Sequence, residues 1–488
     1  MANPALINEA FRHLQAGAGE QALDVARKAV AANPSEARAR LAEAMALRTL
    51  GRLDEAAQSI ARAAVLDPKD YAVAYEAGVV RKAQGDAPAA LAQFERSRAL
   101  KPDFFVAHLD ALLNLAQALK GAGRGDDADE AFVHALAANP HDFHLLRAFG
   151  QHSVSRGNYK RAATLFGEAL RAGPDDEALP IFLAQVELMQ GHWDAAWSAY
   201  AQRGTRKHFE RFLLERGTTY RVPTLASLAG RDVALVAEQG YGDILFFLRW
   251  APALMRAGAR LHFVGSPGLH SMLARTGLFA GCYPNFDASL PELVPVMIGD
   301  LPLLIGGDPT VVESLRIAPL PERVATWRSR LEAAGPHPWI GLTWRAGAAP
   351  EEVANALYKT VPQDLLCEAV RAMGGTVVAL QRKPAPGEIE AATRKLGATV
   401  HDFTDSNAQL EDALALVSLL DRHMGVSSTN MHLAAAAGTT ADVFVPFPPE
   451  WRWRIEGDSP WFPGFRVHRQ EPSGDWKPAI NGVRLQFF

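Results

Sequence analysis

The sequence predicts a fold in two parts, a helical solenoid over residues 1–202 followed by an α/β region with two parallel sheets. Three observations lead to this prediction. Prolines and glycines recur with a fixed period in the first part, and short apolar strands alternate with helices in the second. The alternation pauses before residue 337 and then starts again, which indicates two separate sheets with helices on their faces.

Length and composition indicate a folded protein of several domains. The 488 residues exceed one ordinary core, and 48% hydrophobic with 21% charged residues is typical of globular chains. The net charge of −4 gives no electrostatic reason to expect nucleic acid. The cysteines, Cys282 and Cys367, form no CxxC motif. With no signal-peptide pattern at the N-terminus and no long apolar run, we expect a cytoplasmic protein without a membrane span.

Repeats account for the first part. The prolines are Pro34, Pro68, Pro102, Pro140 and Pro174, and the glycines are Gly17, Gly51, Gly85, Gly123, Gly157 and Gly191. A period of 34 residues predicts stacked helix pairs, with glycine in the turn inside a pair and proline starting the next pair. These units resemble tetratricopeptide repeats, whose solenoid binds a peptide or protein in its concave groove. A plain spacer is the alternative.

One interval departs from the period. Pro102 and Pro140 are 38 residues apart, because four residues have been added between Pro102 and Gly123. Four residues are about one helical turn, so the insertion is expected to lengthen a helix without rotating its buried face.

The period ends near residue 202. Residues 203–230 are basic and irregular and are expected to form a linker. Residues 231–336 predict an N-terminal Rossmann-like lobe, and residues 337–488 predict a C-terminal lobe that ends in an aromatic segment. Ligands of such folds bind at the carboxyl ends of strands, so the two lobes are expected to face each other across a cleft. The aromatic stretch 445–470 could line this cleft, brace the lobes or belong to a core.

A candidate catalytic residue follows the first strand of the N-terminal lobe, in AEQGYGDILFFLRW (237–250). Gly240 and Gly242 allow a ligand to approach the backbone, and Asp243 stands where the next helix begins. Asp243 is a candidate general base that takes a proton from an acceptor hydroxyl. Helix capping is the alternative for this aspartate.

Cations and small polar residues follow strands of the C-terminal lobe. IGLTWRAG carries Thr343 and Arg345, YKTVP carries Lys359, and ALQRKPAP carries Gln381 and Arg382. Cations at strand ends can neutralise a phosphate, and glutamine or arginine can read a nucleobase edge. Solvated surface charge and ordinary loop polarity are the alternatives.

A polar junction joins the next strand to its helix in HMGVSSTNMHLAAAAG (423–438). Its polar residues are Ser427, Ser428, Thr429, Asn430 and His432. Free N–H groups and the dipole at a helix start attract an anion, and these side chains add donors. Capping alone needs one serine or threonine, so the junction predicts a phosphate-binding position.

These motifs together resemble bacterial glycosyltransferases that carry N-terminal tetratricopeptide repeats. AEQGYGDILFFLR, KTVP, LQR, GVSSTNMHLAAAAG and PFPPEWRW…DSPWFP follow one another as they do in that group. The resemblance covers roughly 1–200 as repeats and 225–480 as transferase, and it implies a fold of the two-lobed GT-B type. The group is related to heptosyltransferases and to O-GlcNAc transferase, and it includes flagellin glycosyltransferases that transfer nonulosonic acids.

The resemblance also implies roles for single residues. Asp243 matches the acidic residue proposed as base, Lys359 matches a residue facing the donor phosphate, and Ser428 and His432 match the Thr and His of the usual DTxxxHLA. Gln381 and Arg382 lie where the family meets the nucleotide.

Two departures from the family pattern concern the donor side. Ser427 replaces the common Asp, and WRAGAAP, with Arg345 added, stands where WAGNP is usual. A lost carboxylate and a gained guanidinium favour a more anionic donor, such as a CMP-linked nonulosonic acid, over UDP- or GDP-linked sugars.

The sequence thus predicts a protein O-glycosyltransferase. A sugar such as pseudaminic or legionaminic acid would pass from a nucleotide sugar, the co-substrate, to Ser or Thr of a protein, with flagellin the expected acceptor in the repeat groove. No Asp-x-Asp occurs in residues 231–488, so neither a metal nor a further cofactor is expected. The alternatives are a catalytically inactive scaffold, or a transferase acting on lipopolysaccharide or another glycan with UDP- or GDP-sugars.

Overall fold

The computed structural model describes residues 4–173, 175–287, 293–346, 359–371 and 373–484. The predicted fold class is confirmed, since a helical solenoid precedes a region with parallel sheets. The chain divides into two compact units, Met1–Gln151 with Arg171–Pro174 and His152–Leu170 with Asp175–Phe488. Among the described residues, none of the helices combines the length and the apolar composition that crossing a bilayer requires.

Fourteen α-helices occupy the described residues up to position 214. In chain order, α1 to α14 are Pro4–Gln15, Gly19–Ala32, Ala37–Thr49, Leu53–Leu66, Tyr71–Ala83, Ala87–Leu100, Pro102–Ala107, Leu109–Gly121, Gly125–Ala138, Phe143–Ser155, Tyr159–Ala172, Leu179–Gln190, Trp193–Tyr200 and Gly204–Leu214.

The repeat glycines take the role that the sequence predicts. Gly51, Gly85 and Gly123 end helices with φ of +74°, +82° and +74°, a left-handed conformation that glycine adopts without steric cost. Close helix contact also depends on small residues, as at Gly78, where a Cβ would lie 2.6 Å from the ring of Phe94. The helices α5 and α6 can therefore approach one another closely at this point.

The prolines mostly stand in the turn before a helix. The sequence had predicted them at the first position of the helix. Pro68 precedes the start of α5 by three residues, and Asp70 caps this helix by accepting a backbone N–H at 2.7 Å. Pro34 has the same spacing from α3. A proline at the first helical position would remove one unpaired N–H group, whereas the carboxylate of the cap accepts a hydrogen bond from one. Pro102 starts α7 as predicted, and Pro174 lies outside the described residues.

The four-residue insertion divides a helix, whereas the sequence predicted a longer one. Between α7 and α8 the backbone of His108 is extended, with φ −126° and ψ 100°. Phe105 is buried, and the ring of Phe104 packs on Tyr71 and Tyr75 at centroid distances of 5.0 and 5.2 Å. These two aromatic contacts hold α7 in place, and the break at His108 lets α8 take its own direction.

The remaining helices and all strands belong to the second unit. In chain order, α15 to α24 are Tyr241–Phe247, Ala251–Arg256, His270–Ala274, Leu301–Ile305, Pro321–Ala334, Gln363–Arg371, Glu388–Leu396, Leu410–Val417, Thr429–Ala437 and Lys477–Arg484. The strands β1 to β12 are Asp232–Val236, Arg260–Val264, Phe279–Tyr283, Val294–Met297, Trp339–Thr343, Arg345–Ala346, Lys359–Thr360, Thr376–Ala379, Val400–Asp402, Arg422–Val426, Asp442–Val445 and Arg466–Arg469.

Two parallel sheets form the α/β region. The first has the strand order β3-β2-β1-β4 and the second the order β12-β11-β10-β5-β8-β9, while β6 and β7 form a short antiparallel ribbon. The central strands are buried on both faces, as parallel sheets require. Gly425 in β10 pairs with Thr343 in β5, so these two strands end at the same edge of the second sheet.

Residues 203–230, expected to be a linker, contain α14 and a buried cluster of charges. The fully buried side chain of Arg203 contacts Glu238 at 2.5 Å and Asp300 at 2.7 Å. The hydroxyl of Tyr220 donates to Asp300 at 2.6 Å. Buried charges require partners, so these contacts fasten the segment to the first sheet. Composition alone does not show which arginine is paired, so the buried Arg203 was not expected from the sequence.

The helix α13 also packs on the α/β region. Trp197 is 2% exposed, and its Nε1 donates to the carbonyl oxygen of Gly307 at 3.0 Å. Its ring lies edge-on to Trp250 and Trp461, with centroids 6.0 Å away in both cases. The last repeat helices therefore share a core with the sheets.

Candidate functional site

The candidate site lies beyond the carboxyl ends of strands from both sheets. Asp243 is in the first turn of α15, the helix after β1, and Ser427 follows β10. The helix α15 contacts α23 at Gly242, where a Cβ would lie 3.0 Å from Cδ2 of His432. The two lobes therefore meet at the residues that the sequence singled out for ligand binding.

A chain of ion pairs links the two sheets at this place. Lys359 Nζ contacts Glu450 Oε2 at 2.7 Å, and Ser427 Oγ donates to the same oxygen at 2.8 Å. The guanidinium of Arg452 bonds Glu450 through Nη1 and Asp243 through Nη2. Arg452 thus connects the candidate base of the first lobe to the cation and the serine of the second.

Aromatic rings hold Arg452 in this position. The residue belongs to a 3₁₀ turn, Trp451–Trp453, and its guanidinium lies over the rings of Phe246 and Trp451 at 4.9 and 4.2 Å. The cation is attracted to both ring faces, which restricts where it can point. The aromatic stretch that the sequence left unassigned therefore both braces the lobes and lines the site.

Glu450 and Arg452, the buried members of this row of ion pairs, remain ionised at neutral pH. Burial alone would raise the pKa of Glu450, but Lys359 and Arg452 together lower it well below its usual range. Burial alone would lower the pKa of Arg452, but Asp243 and Glu450 raise it above its usual value. Each charge is thus stabilised by its neighbours.

Arg249 adds a positive charge close to this chain. It is 3% exposed and donates to the carbonyl oxygens of Phe246 at 2.9 Å and Trp461 at 2.8 Å. No carboxylate of the described residues forms a salt bridge with it. Burial, with the nearby Arg452 as a second cause, lowers the pKa of Arg249 to about 9, so it is still cationic at neutral pH.

The five groups carry an excess of positive charge. Lys359, Arg249 and Arg452 are cationic, and Glu450 and Asp243 are the two carboxylates among them. A buried excess charge is unfavourable unless an anion neutralises it. The arrangement is therefore chemically suited to an anionic ligand.

Several polar atoms here lack a hydrogen-bond partner within the described residues. They include Ser428 Oγ, Thr343 Oγ1 and Arg452 Nε, all shielded from solvent. Ser428 is the N-cap residue of α23, yet its side chain forms no capping bond. Unmade bonds of this kind are uncommon in folded proteins and are expected where a ligand completes them. Thr429 begins α23, and Asn430 donates to Asn407 at 3.4 Å.

His432 is an uncharged member of the site. It is 7% exposed, and its ring lies edge-on to Phe462 at 5.2 Å. Burial and the neighbouring Arg452 lower its pKa well below the usual value. The imidazole is therefore neutral at physiological pH and can offer one donor and one acceptor.

Two predicted residues, Arg345 and Gln381, are engaged within the second lobe itself. The guanidinium of Arg345 contacts the carboxylate of Glu388 at 2.8 Å, which neutralises it. Gln381 is buried, and its Oε1 accepts the backbone N–H groups of Trp344 and Arg345 at 3.2 and 3.0 Å. Arg382 is exposed, and residues 347–350 of the WRAGAAP stretch lie outside the described residues.

Three residues of the site were not selected from the sequence, namely Arg249, Glu450 and Arg452. Their signal was present, because each stands next to a tryptophan, in LRW and EWRWR. Charged residues between large apolar ones indicate charges that are buried and hence paired or used by a ligand. Within the described part of the chain, no group of three or more His, Cys, Asp and Glu side chains is arranged to hold a metal.

The first unit contains a groove of ≈1070 Å³. The rings of Tyr71, Tyr75 and Phe104 line it, together with Lys82 and Arg48. Lys82 donates to Asn114 at 2.9 Å and Arg48 contacts Glu76 at 2.6 Å. A concave surface of aromatic faces and polar groups has the chemistry that an extended peptide needs.

Comparison with known proteins identifies the repeats. The tetratricopeptide repeat model matches residues 8–71, 113–177 and 147–208. Protein FlbA of Caulobacter vibrioides is 25% identical over 462 residues, which covers 80% of this chain and 74% of FlbA. Similar solved structures include PilF of Pseudomonas aeruginosa, at 20% identity and TM-score 0.36 over 41% of this chain and 90% of PilF. Another is PilW, a type IV pilus biogenesis factor, at 18% identity and TM-score 0.37 over 44% of this chain and 98% of PilW. The N-terminal part of the chain consists of tetratricopeptide repeats.

Proposed function

We propose that this chain is a protein glycosyltransferase with two lobes of the GT-B type. The tetratricopeptide repeats recruit a polypeptide, and the site between the lobes transfers a sugar from a nucleotide sugar to a Ser or Thr hydroxyl. One observation carries the proposal. A half-buried carboxylate of the first lobe, Asp243, meets Arg452 of the second, which together with Lys359 holds Glu450 at the carboxyl ends of the strands.

Each part of the site has a role in such a transfer. Asp243 accepts the proton of the acceptor hydroxyl as that oxygen attacks the sugar. Lys359, Arg452 and the N-terminus of α23 stabilise the negative charge that develops on the leaving phosphate. Neutral His432 and the free hydroxyl of Ser428 can donate hydrogen bonds to the same ligand without changing its charge balance.

A CMP-linked donor remains a prediction from the sequence. That expectation rested on Ser427 in place of a carboxylate and on the added Arg345. In the structure Ser427 bonds the carboxylate of Glu450, and Arg345 pairs with Glu388. We propose a nucleotide sugar as the donor class. Protection from thermal unfolding by CMP, UDP or GDP will identify the nucleotide.

Replacing the proposed base tests the function. For Asp243→Asn we expect sugar transfer to fall by about 100-fold or more, because general base catalysis contributes on this order. Nucleotide binding should persist, since the cations remain. Transfer is measured by intact mass of flagellin, the proposed acceptor, after incubation with the donor that the nucleotide screen indicates.

Asp232→Asn is the matched control. Asp232 is a carboxylate at the amino end of β1, on the opposite edge of the same sheet, and it is paired with His262 at 2.6 Å. Its loss should leave transfer unchanged. Equal modification of the acceptor by Asp243→Asn and wild type would show that Asp243 is not the base. If neither modifies the acceptor while both bind it, the chain acts as a scaffold and the proposed catalysis is wrong.

A further inference from the structure

Glu450 occupies a position that has the chemistry of a phosphate site. Its carboxylate forms an ion pair with Lys359 and accepts hydrogen bonds from the guanidinium of Arg452 and the hydroxyl of Ser427. Its side chain is 7% exposed. A lysine, an arginine and a hydroxyl converging on one anion are the groups that proteins commonly use for phosphate. In this chain the anion that they hold is part of the protein.

We propose that Glu450 is an internal counter-anion that fills the phosphate position between Lys359 and Arg452 and has to give way, wholly or in part, when a ligand phosphate binds. The inference rests on the proposed function, since it assigns this position to the phosphate of the donor. It adds a specificity-determining residue, because the carboxylate opposes every anion that enters.

The charges explain what Glu450 does. With its carboxylate in place, Lys359, Arg452 and the neighbouring Arg249 outnumber the two carboxylates by one positive charge. Without it the excess is two, which suits a multiply charged phosphate better. The Nε of Arg452 has no partner within the described residues, so a donor remains for the incoming ligand.

The consequence is selectivity against simple anions. Inorganic phosphate and pyrophosphate have only their charge with which to displace Glu450. A nucleotide sugar also has a base and a sugar, whose contacts can offset the work of moving a buried carboxylate away from its cations. Glu450 therefore keeps abundant small phosphates from occupying the site.

Binding of pyrophosphate to the full-length chain tests this inference. Pyrophosphate is titrated into wild type, Glu450→Gln and Glu388→Gln at low salt, with heat of binding as the readout. Glu450→Gln should bind pyrophosphate at least about tenfold more tightly than wild type, because it keeps the shape of the side chain but removes its charge. Inorganic phosphate carries less charge, so its affinity should increase by a smaller factor in Glu450→Gln.

Glu388→Gln is the matched control, since it removes a carboxylate that pairs with a cation elsewhere in the same lobe. Its affinity for pyrophosphate should equal that of wild type. Unchanged or weaker binding by Glu450→Gln, equal gains in both variants, or no binding by any of the three overturns the inference.

A second variant covers the case in which Glu450→Gln does not fold. Glu450→Asp keeps the charge but withdraws it by one methylene from Lys359 and Arg452, so it should bind pyrophosphate more tightly than wild type by a smaller factor. If the Glu450 variants bind pyrophosphate with wild-type affinity while sugar transfer is observed, the inference is wrong and the proposed function stands. If the pyrophosphate affinities change as expected and no sugar is transferred, the inference holds and the proposed function is wrong.

Discussion

At the contact between the lobes, the space available to a side chain differs between two neighbouring glycines. Gly242 lies in α15 against the buried ring of His432, and Gly240 stands at the N-cap of the same helix with open space around it. The sequence predicted that both glycines allow close approach of a ligand. The structure distinguishes them, because at Gly242 the group that approaches is a side chain of the other lobe.

Substituting the two glycines tests this difference. In Gly242→Ala the new Cβ would lie 3.0 Å from His432 Cδ2, and we expect a loss of about 1–2 kcal/mol in the free energy of unfolding. The gain in helix propensity from alanine, about 0.5–1 kcal/mol, offsets only part of the overpacking. Urea denaturation measures both variants.

Gly240→Ala is the matched control. Its Cβ would have Asp243 Oδ2 at 3.9 Å as its nearest neighbour, and its φ of −85° is open to alanine. Its unfolding free energy should stay within about 0.5 kcal/mol of wild type. Equal stability of the two variants would show that the α15–α23 contact is not tight in solution.

At the scale of elements, β10 and α23 carry the polar junction of the second lobe. Strand β10 lies at the middle of its sheet between β5 and β11 and is buried on both faces, so its apolar run was visible in the sequence. It also contains His423, which is 2% exposed and whose two ring nitrogens have no partner within the described residues. A neutral imidazole is thus enclosed in the centre of the sheet.

This histidine predicts a pH dependence of stability. Burial lowers the pKa of His423 to about 4, although Asp442 acts in the opposite direction. The unfolded chain binds the proton below about 6.5 and the folded chain does not, so the free energy of unfolding falls as the pH decreases from 6.5 towards 4. One such group contributes a slope of up to about 1.4 kcal/mol per pH unit.

The variant His423→Leu should reduce this slope, measured by urea denaturation between pH 5.0 and 6.5. A residual slope is expected, because His432 is also buried with a lowered pKa and acts in the same sense. His134→Leu, at an exposed position of α9, controls for the loss of a histidine. A wild-type slope in His423→Leu would contradict the buried, neutral state of this ring.

At the scale of the whole molecule, the position of the boundary between repeats and sheets matters most. The loss of the 34-residue period placed it after residue 202. The second compact unit instead includes His152–Leu170 and the helices α12 to α14. Trp197 and Tyr200 are buried on the α/β region, and the hydroxyl of Tyr200 accepts a hydrogen bond from Gln239 at 2.7 Å.

Two fragments test this boundary. A chain of residues 152–488 keeps α12 and α13, and we expect it to unfold cooperatively on heating. A chain of residues 203–488 loses Trp197 and exposes the rings of Trp250 and Trp461, so it should aggregate or melt without a cooperative transition. Calorimetry and size-exclusion chromatography measure both. A cooperative, monodisperse 203–488 would restore the boundary that the sequence indicated.

The sequence by itself determined the order of the elements. Strand and helix positions were predictable because their apolar runs and periodic glycines are local signals, as the left-handed Gly51 and the strand before Ser427 show. The sequence also located Asp243 and the polar junction at strand ends, since parallel strands end at one edge. Lys359, expected at a strand end as well, lies within β7 of the antiparallel ribbon.

Only the tertiary structure decided which charges meet. Arg452 and Asp243 are 209 residues apart in sequence, and Arg345, which looked free, is neutralised by Glu388. The break at His108 likewise depends on aromatic contacts made to another helix. Pairing of buried charges and packing of rings are set by distances between distant segments, and no local pattern in a sequence records them.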